Sequence, residues 1–188
     1  METESSAQAP AHSENSKLAY KPEDIKRTVL MPLDGSPHCE RAFLWYAANI
    51  KKDGDLMIFV HIVEPEWNNA SLGLFDAPPV LGLEVNKIME SKLERGKAIC
   101  RDFMERAKDC NVFNRAFMHI DSRPGQAVVA ASKTNNVDMI IMGNRGVGSM
   151  HRAFLGSTSD YVLHHAHRPV LIVTPPEAKK SNNQSKED

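Results

Sequence analysis

Short apolar segments alternate with amphipathic segments along most of the chain. Mostly apolar runs at residues 28–33, 56–63, 116–120, 137–142 and 169–174 are typical of strands buried on both faces of a sheet. Between these runs, apolar residues recur three or four positions apart, which predicts helices. The alternation predicts an α/β fold: a doubly wound, open, parallel sheet of five strands in the order 3-2-1-4-5, with helices on both faces.

The apolar pattern is missing at both ends of the chain. Residues 1–24 are rich in Ser, Glu, Ala and Asn, and residues 177–188 follow two prolines with a similar polar composition. Such segments bury too little apolar surface to fold. We therefore expect two disordered tails and one domain over residues 25–176. Residues 64–82, which contain three prolines, predict an irregular excursion whose length is typical of a functional loop.

Composition and charge exclude several classes of protein. Lys and Arg total 23 against 24 acidic residues, a net charge of −1, so we expect no nucleic-acid or anionic-membrane partner. No run approaches the roughly 18 apolar residues of a membrane helix, and the first residues lack the apolar core of a signal peptide. Three cysteines without CxxC spacing indicate neither a disulfide framework nor a zinc site. We expect a cytoplasmic protein.

A glycine-rich segment follows the fourth predicted strand and has the skeleton Gly-x2-Gly-x9-Gly-Ser, starting at Gly143. Glycines permit positive φ and close backbone approach, so consecutive N–H groups can form an anion-binding nest. The next helix is predicted to begin near Ser157, which would turn its free N–H groups towards the same place. Hydroxyl and guanidinium groups would add hydrogen bonds to phosphate oxygens. The residues predicted to bind phosphate on this basis are Gly143, Arg145, Gly146, Gly148, Ser149, Gly156, Ser157 and Thr158.

Residues 137–173 closely resemble the ATP-binding branch of the universal stress protein family, whose signature is this glycine spacing. The resemblance extends to residues 29–36, 60–62 and 161–165, and so covers roughly residues 25–175. It implies that Asp34 hydrogen-bonds the ribose, that Pro32 lines the base, and that backbone groups around Ile62 recognise the adenine edge. It also implies that the glycines and hydroxyls named above, together with Ser159, hold the ribose and phosphates.

Simpler interpretations exist for several of these residues. Asp34 could be a turn residue ahead of a helix that starts with Ser36 at the N-cap and proline at the first position. The histidines at positions 164, 165 and 167 could suggest a metal site, but cationic side chains are favoured at a helix C-terminus and adjacent histidines point in different directions. We predict no metal site and no catalytic residue.

Three functions follow in order of preference. The first is a binding protein that holds ATP, with AMP or ADP as alternatives, as a structural or signalling ligand in a stress response; the sequence leaves open whether Mg accompanies it. The second is a slow ATPase, although the Walker A pattern GxxxxGK[ST] is absent. The third is a chaperone-like module that binds partners through residues 64–82 and needs no nucleotide.

The last predicted strand indicates how the protein assembles. It would lie at one edge of the sheet, and Val170–Val173 are four branched aliphatic residues without a charge. An exposed apolar edge strand pairs readily with other chains, whereas a two-fold contact closes on itself. We therefore predict a homodimer joined through this strand, as the family resemblance also implies.

Overall fold

A computed structural model describes residues 21–65, 80–144 and 155–176 of the chain. The two predicted tails and the predicted excursion lie mostly outside these ranges. Within the first range, the 3-10 turn Pro22–Asp24 occupies the last residues of the predicted N-terminal tail. None of the described helices combines the length and apolarity needed to cross a bilayer.

The described strands form a single sheet in which every neighbouring pair is parallel, in the order β3-β2-β1-β4-β5. This confirms the predicted fold class and strand order. The strands are Arg27–Leu33 (β1), Asp55–Val63 (β2), Phe113–Ile120 (β3), Met139–Gly143 (β4) and Val170–Val173 (β5).

In the ranges that the structure describes, four α-helices lie between successive strands and cover the two faces of the sheet. They are Pro37–Asn49 (α1), Val80–Asp109 (α2), Pro124–Thr134 (α3) and Ser157–His165 (α4). One apolar cluster joins the sheet to α1 and α2, and a second joins it to α3 and α4. The central strand β1 serves both clusters, since Val29 and Met31 belong to the first and Leu30 to the second. Alternate side chains of this strand therefore fill opposite layers of the core.

Three phenylalanines fix α1 and α2 against the same strand. Phe43 of α1 lies 6.2 Å from Phe59 of β2 and 6.0 Å from Phe103 of α2, while Phe59 and Phe103 are 5.8 Å apart, measured between ring centroids. These are normal separations for tilted and edge-on aromatic pairs, which add to the stabilisation from apolar burial.

Two elements begin earlier than the apolar pattern predicts. β3 starts at Phe113 rather than at residue 116, because Asn114 and Arg115 interrupt the apolar run although both pair within the strand register. Asn114 is buried and its amide donates to the carbonyl of Val112 at 3.0 Å. α2 starts at Val80, within residues 64–82, where the sequence predicts an irregular excursion. In β3, pairing with β2 extends the strand beyond its apolar segment.

A polar network ties the amino ends of β1 and β2 to α1. Asp55 accepts two hydrogen bonds from Arg27, at 2.8 and 2.6 Å, one from the hydroxyl of Tyr46 at 2.7 Å and one from the backbone N–H of Lys52 at 2.9 Å. Burial would raise the pKa of Asp55, but the hydrogen bonds outweigh it and hold its pKa below the usual range. The buried carboxylate is therefore charged and fully paired.

Replacing Asp55 with Asn should lower the free energy of unfolding by about 3 kcal/mol at pH 7, because Arg27 would lose its buried counter-charge. A lowered folded pKa means that the charged form stabilises the fold fully above the unfolded carboxyl pKa of about 3.9. That stabilisation is lost as the pH falls through the folded value. In urea titrations the difference between wild type and variant should therefore narrow only below about pH 4.

The matched control is Asp102→Asn, which removes an exposed partner of Arg106 at 2.9 Å. Exposed pairs contribute little, so this change should cost less than about 1 kcal/mol. Equal losses for the two variants would show that the Asp55 network adds nothing beyond a surface ion pair.

Candidate functional site

A cavity of about 540 Å³ opens at the carboxyl end of the sheet, between β1 and β4, where the strand order reverses. Open α/β sheets bind ligands at this position because the loops after the two strands diverge to opposite faces. We call it the carboxyl-end cavity. It is lined by Pro32, Leu33, Asp34, Ser36, His38, Cys39, Ile62, Glu64, Ser122, Pro124, Val128, Met142, Gly143, Asn144, Gly156, Ser157, Thr158 and Ser159.

The lining changes in character across the sheet. On the side of β2 and β3 the cavity is bordered by the apolar residues Ile62, Pro124 and Val128, together with Glu64 and Ser122. On the side of β4 it is bordered by Asn144 and by the residues that begin α4, which carry hydroxyl groups. The cavity can therefore take a ligand with one flat apolar part and one part rich in hydrogen-bond acceptors.

The predicted site residues converge on this cavity. Of the twelve, eight lie in the described part of the chain, and all eight line the cavity. They are Pro32, Asp34, Ile62, Gly143, Gly156, Ser157, Thr158 and Ser159. The other four, Arg145, Gly146, Gly148 and Ser149, lie outside the described residues.

Asp34 is held by the turn that connects β1 to α1. Its Oδ1 accepts the backbone N–H of Ser36 at 2.9 Å and the thiol of Cys39 at 2.9 Å. Gly35 between them has φ +72°, a conformation that glycine adopts without strain. Asp34 is thus a turn residue, as the simpler interpretation held, and also a carboxylate on the cavity wall.

Gly143 allows the end of β4 to pack closely against the first turn of α1. A Cβ built on Gly143 would lie 2.2 Å from the carbonyl oxygen of His38, in the first turn of α1. Any side chain would therefore push α1 away from the end of β4. The resemblance assigns this glycine to phosphate binding, and the described geometry supplies a packing reason for the same residue.

Gly156 differs from Gly143 because a Cβ there would meet no described atom within 4 Å. It is the N-cap residue of α4 and makes no side-chain capping hydrogen bond. The first N–H groups of a helix lack intrahelical acceptors and attract anions. Since residues 156–159 line the cavity, this helix start faces the ligand space directly.

Sequence reasoning missed five lining residues with hydroxyl, imidazole, carboxyl or amide side chains: Ser36, which it placed only at the N-cap of α1, and His38, Glu64, Ser122 and Asn144. Three of them come within two residues of a strand's carboxyl end, so the rule that ligands lie at strand ends could have identified them. His38 was overlooked because it lies inside the first turn of α1, behind a proline. In the described residues, no three His, Cys, Asp or Glu side chains cluster as metal ligands would.

Comparison with known proteins places this geometry in a family. A family model for the universal stress protein family matches residues 26–174. A curated relative from Thermus aquaticus, described as a universal stress protein in the QAH/OAS sulfhydrylase 3′ region, is 30% identical over 148 residues. The match spans 78% of this chain and 98% of the relative.

Two solved structures share the fold. A universal stress protein family protein from Arabidopsis thaliana with AMP bound has a TM-score of 0.58 and 16% identity, over 84% of this chain and 97% of that chain. A universal stress protein in complex with cAMP has a TM-score of 0.54 and 21% identity, over 79% and 96% respectively. At these identities the likeness concerns the arrangement of the strands and helices.

The thiol of Cys39 should react slowly with alkylating reagents. Burial and the neighbouring Asp34 carboxylate raise the pKa of Cys39 to about 11, and only 6% of the residue is exposed. Because the thiolate is the nucleophile, iodoacetamide at pH 8 should modify the partly exposed Cys110 long before Cys39. Mass spectrometry of timed samples measures both rates.

The variant Asp34→Asn isolates the carboxylate's contribution. Removing its charge should lower the pKa of Cys39 and speed its alkylation at pH 8, while the rate at Cys110 stays constant. Unchanged modification of Cys39 in this variant would show that burial alone controls the thiol.

Proposed function

The chain belongs to the universal stress protein family, and on that premise we propose that its carboxyl-end cavity binds an adenine nucleotide. ATP is the proposed ligand, with AMP and ADP as alternatives, held as a structural or signalling ligand in a stress response. We propose a cytoplasmic location for the protein.

The observation that supports this proposal most strongly is the convergence of four distant segments on one cavity. Asp34 follows β1, Ile62 is the penultimate residue of β2, Gly143 ends β4, and residues 156–159 form the N-cap and first residues of α4. A carboxylate suits ribose hydroxyls, backbone groups near a strand end suit the edge of a base, and a helix start suits phosphate. The cavity volume of about 540 Å³ also lies within the range of small-molecule sites.

We favour a binding protein over an ATPase because of the carboxylates available. Among the described lining residues only Asp34 and Glu64 carry carboxylates, and Asp34 accepts hydrogen bonds from its own turn. Phosphoryl transfer needs a metal anchor and a group that orients the attacking water. A single-turnover phosphate-release assay, with and without Mg²⁺, separates the two functions.

The identity of the ligand is tested by releasing nucleotide from the purified protein with heat and analysing it by mass spectrometry. We expect an adenine nucleotide in the extract. Calorimetric titration of stripped protein with ATP, ADP and AMP then gives the affinities, and titration with and without Mg²⁺ decides whether the ion belongs to the complex. Absence of binding by all three nucleotides would contradict the proposed function.

Replacing Asp34 with Ala should weaken ATP, ADP and AMP by similar factors of about tenfold, or ~1.4 kcal/mol, because all three share the ribose. Calorimetry measures the three affinities, and Asp53→Ala, an exposed turn residue at the amino end of the sheet, is the control. A loss confined to ATP would instead indicate metal or γ-phosphate chemistry and support the ATPase alternative.

We further propose that the protein is a homodimer joined through β5. This strand is the last in the sheet, and Val170, Leu171 and Ile172 are only partly buried within the protomer. On α1, which packs over β4 and β5, Leu44 and Trp45 are 55% and 37% exposed. No described strand pairs with the outer edge of β5, and partly exposed apolar residues on the strand and on α1 support an interface there.

Leu171→Lys should give a monomer that still binds nucleotide, because it charges the strand edge and leaves the cavity residues in place. Val173→Lys is unsuitable, since Val173 is buried in the protomer core and a lysine there would damage the fold. Light scattering at tens of micromolar measures the mass of wild type and variant. A monomeric wild type at that concentration would contradict the dimer.

A further inference from the structure

Arg41 connects α1 to the carboxyl ends of β4 and β5. Its Nη2 donates to the backbone carbonyl of Asn144, which follows β4, and to that of Val173, the last residue of β5, at 3.2 Å. The side chain is partly buried. Two strand-end carbonyls therefore hold the guanidinium in a defined orientation.

The same guanidinium determines which nitrogen of His38 carries a proton. Arg41 Nη1 lies 3.1 Å from His38 Nδ1. A guanidinium has donors and no acceptor, so His38 Nδ1 must be the acceptor in this hydrogen bond. The proton of a neutral imidazole then lies on Nε2, which makes Nε2 a hydrogen-bond donor.

His38 lines the carboxyl-end cavity, and its Cβ lies 3.0 Å from the position that a Cβ on Gly143 would take. It is therefore next to the end of β4. The described lining residues include no Lys or Arg, so within that set His38 is the one basic side chain that can bind an anionic group.

We propose that His38 is a further ligand-binding residue, which donates its Nε2–H to a phosphate oxygen of the nucleotide, and that Arg41 is the positioning residue that fixes the required tautomer. The proposal rests on the proposed function, because it names an additional contact within the same cavity. The proposal predicts that His38 contributes to the affinity for nucleotides and not to that for adenosine, because adenosine offers His38 no anionic oxygen.

The test is calorimetric titration of adenosine, AMP, ADP and ATP into wild type and His38→Ala. The variant should bind AMP, ADP and ATP about five- to tenfold more weakly, while its affinity for adenosine stays that of wild type. His38→Gln should recover most of the loss, because its side-chain amide can donate from about the same reach as Nε2. The matched control His164→Ala alters an exposed histidine on α4 that is not among the lining residues, and should change none of the four affinities.

A second measurement does not depend on ligand binding or on the Ala variant folding. Long-range ¹H–¹⁵N NMR of histidine-labelled wild-type protein should find neutral His38 protonated on Nε2. The Nδ1-protonated form would overturn the proposal, as would unchanged nucleotide affinities in His38→Ala or an equal loss for adenosine. These results would leave the proposed function standing, provided wild type binds nucleotide. A wild type that binds none of the four ligands would overturn the function and this inference together.

Discussion

The close contact between the first turn of α1 and the end of β4 determines the geometry of the whole carboxyl-end cavity. With glycine at position 143, the His38 carbonyl approaches to a distance that no side chain would allow. The approach brings the Asp34 turn, which precedes α1, to the residues that follow β4. It also lets Arg41 reach the carbonyls of Asn144 and Val173. One steric constraint therefore brings together groups that are more than a hundred residues apart in the chain.

The cavity gains its chemical polarity from the same arrangement. β1 lies at the centre of the sheet, so the space above its end is bordered by β2 and β3 elements on one side and by β4 and α4 on the other. The first side supplies the apolar Ile62, Pro124 and Val128 as well as Glu64 and Ser122, and the second supplies N–H groups and hydroxyls at the start of α4. Most groups come from turns or first helical turns anchored to strand ends, which reduces the ordering that a ligand must impose.

Much of the fold could be predicted from the sequence, because buried parallel strands have a distinct apolar pattern and the helices between them repeat every three to four residues. Asp34 and Ile62 were identifiable through the family resemblance, and the Gly156-Ser157 pair also through its place at a predicted helix start. His38 and Arg41 were not, because periodicity does not reveal which turn of a helix approaches a neighbouring strand. Likewise, Asn114 and Arg115 concealed the start of β3, since polar residues interrupt the apolar pattern. In the fold, the Asn114 amide donates to the carbonyl of Val112 and Arg115 Nη2 donates to Asn135 Oδ1.

One end of the sheet contributes to stability and the other end forms the cavity. The Arg27–Asp55 network lies at the amino ends of β1 and β2, whereas the cavity lies at their carboxyl ends. Arg27 and the lining residue Pro32 are five residues apart along β1, or about 17 Å, and the network and the cavity share no side chain. Substitutions at such separations combine additively to within roughly 0.5 kcal/mol. Residues around the ligand can therefore change in evolution without weakening the Arg27–Asp55 network that stabilises the fold.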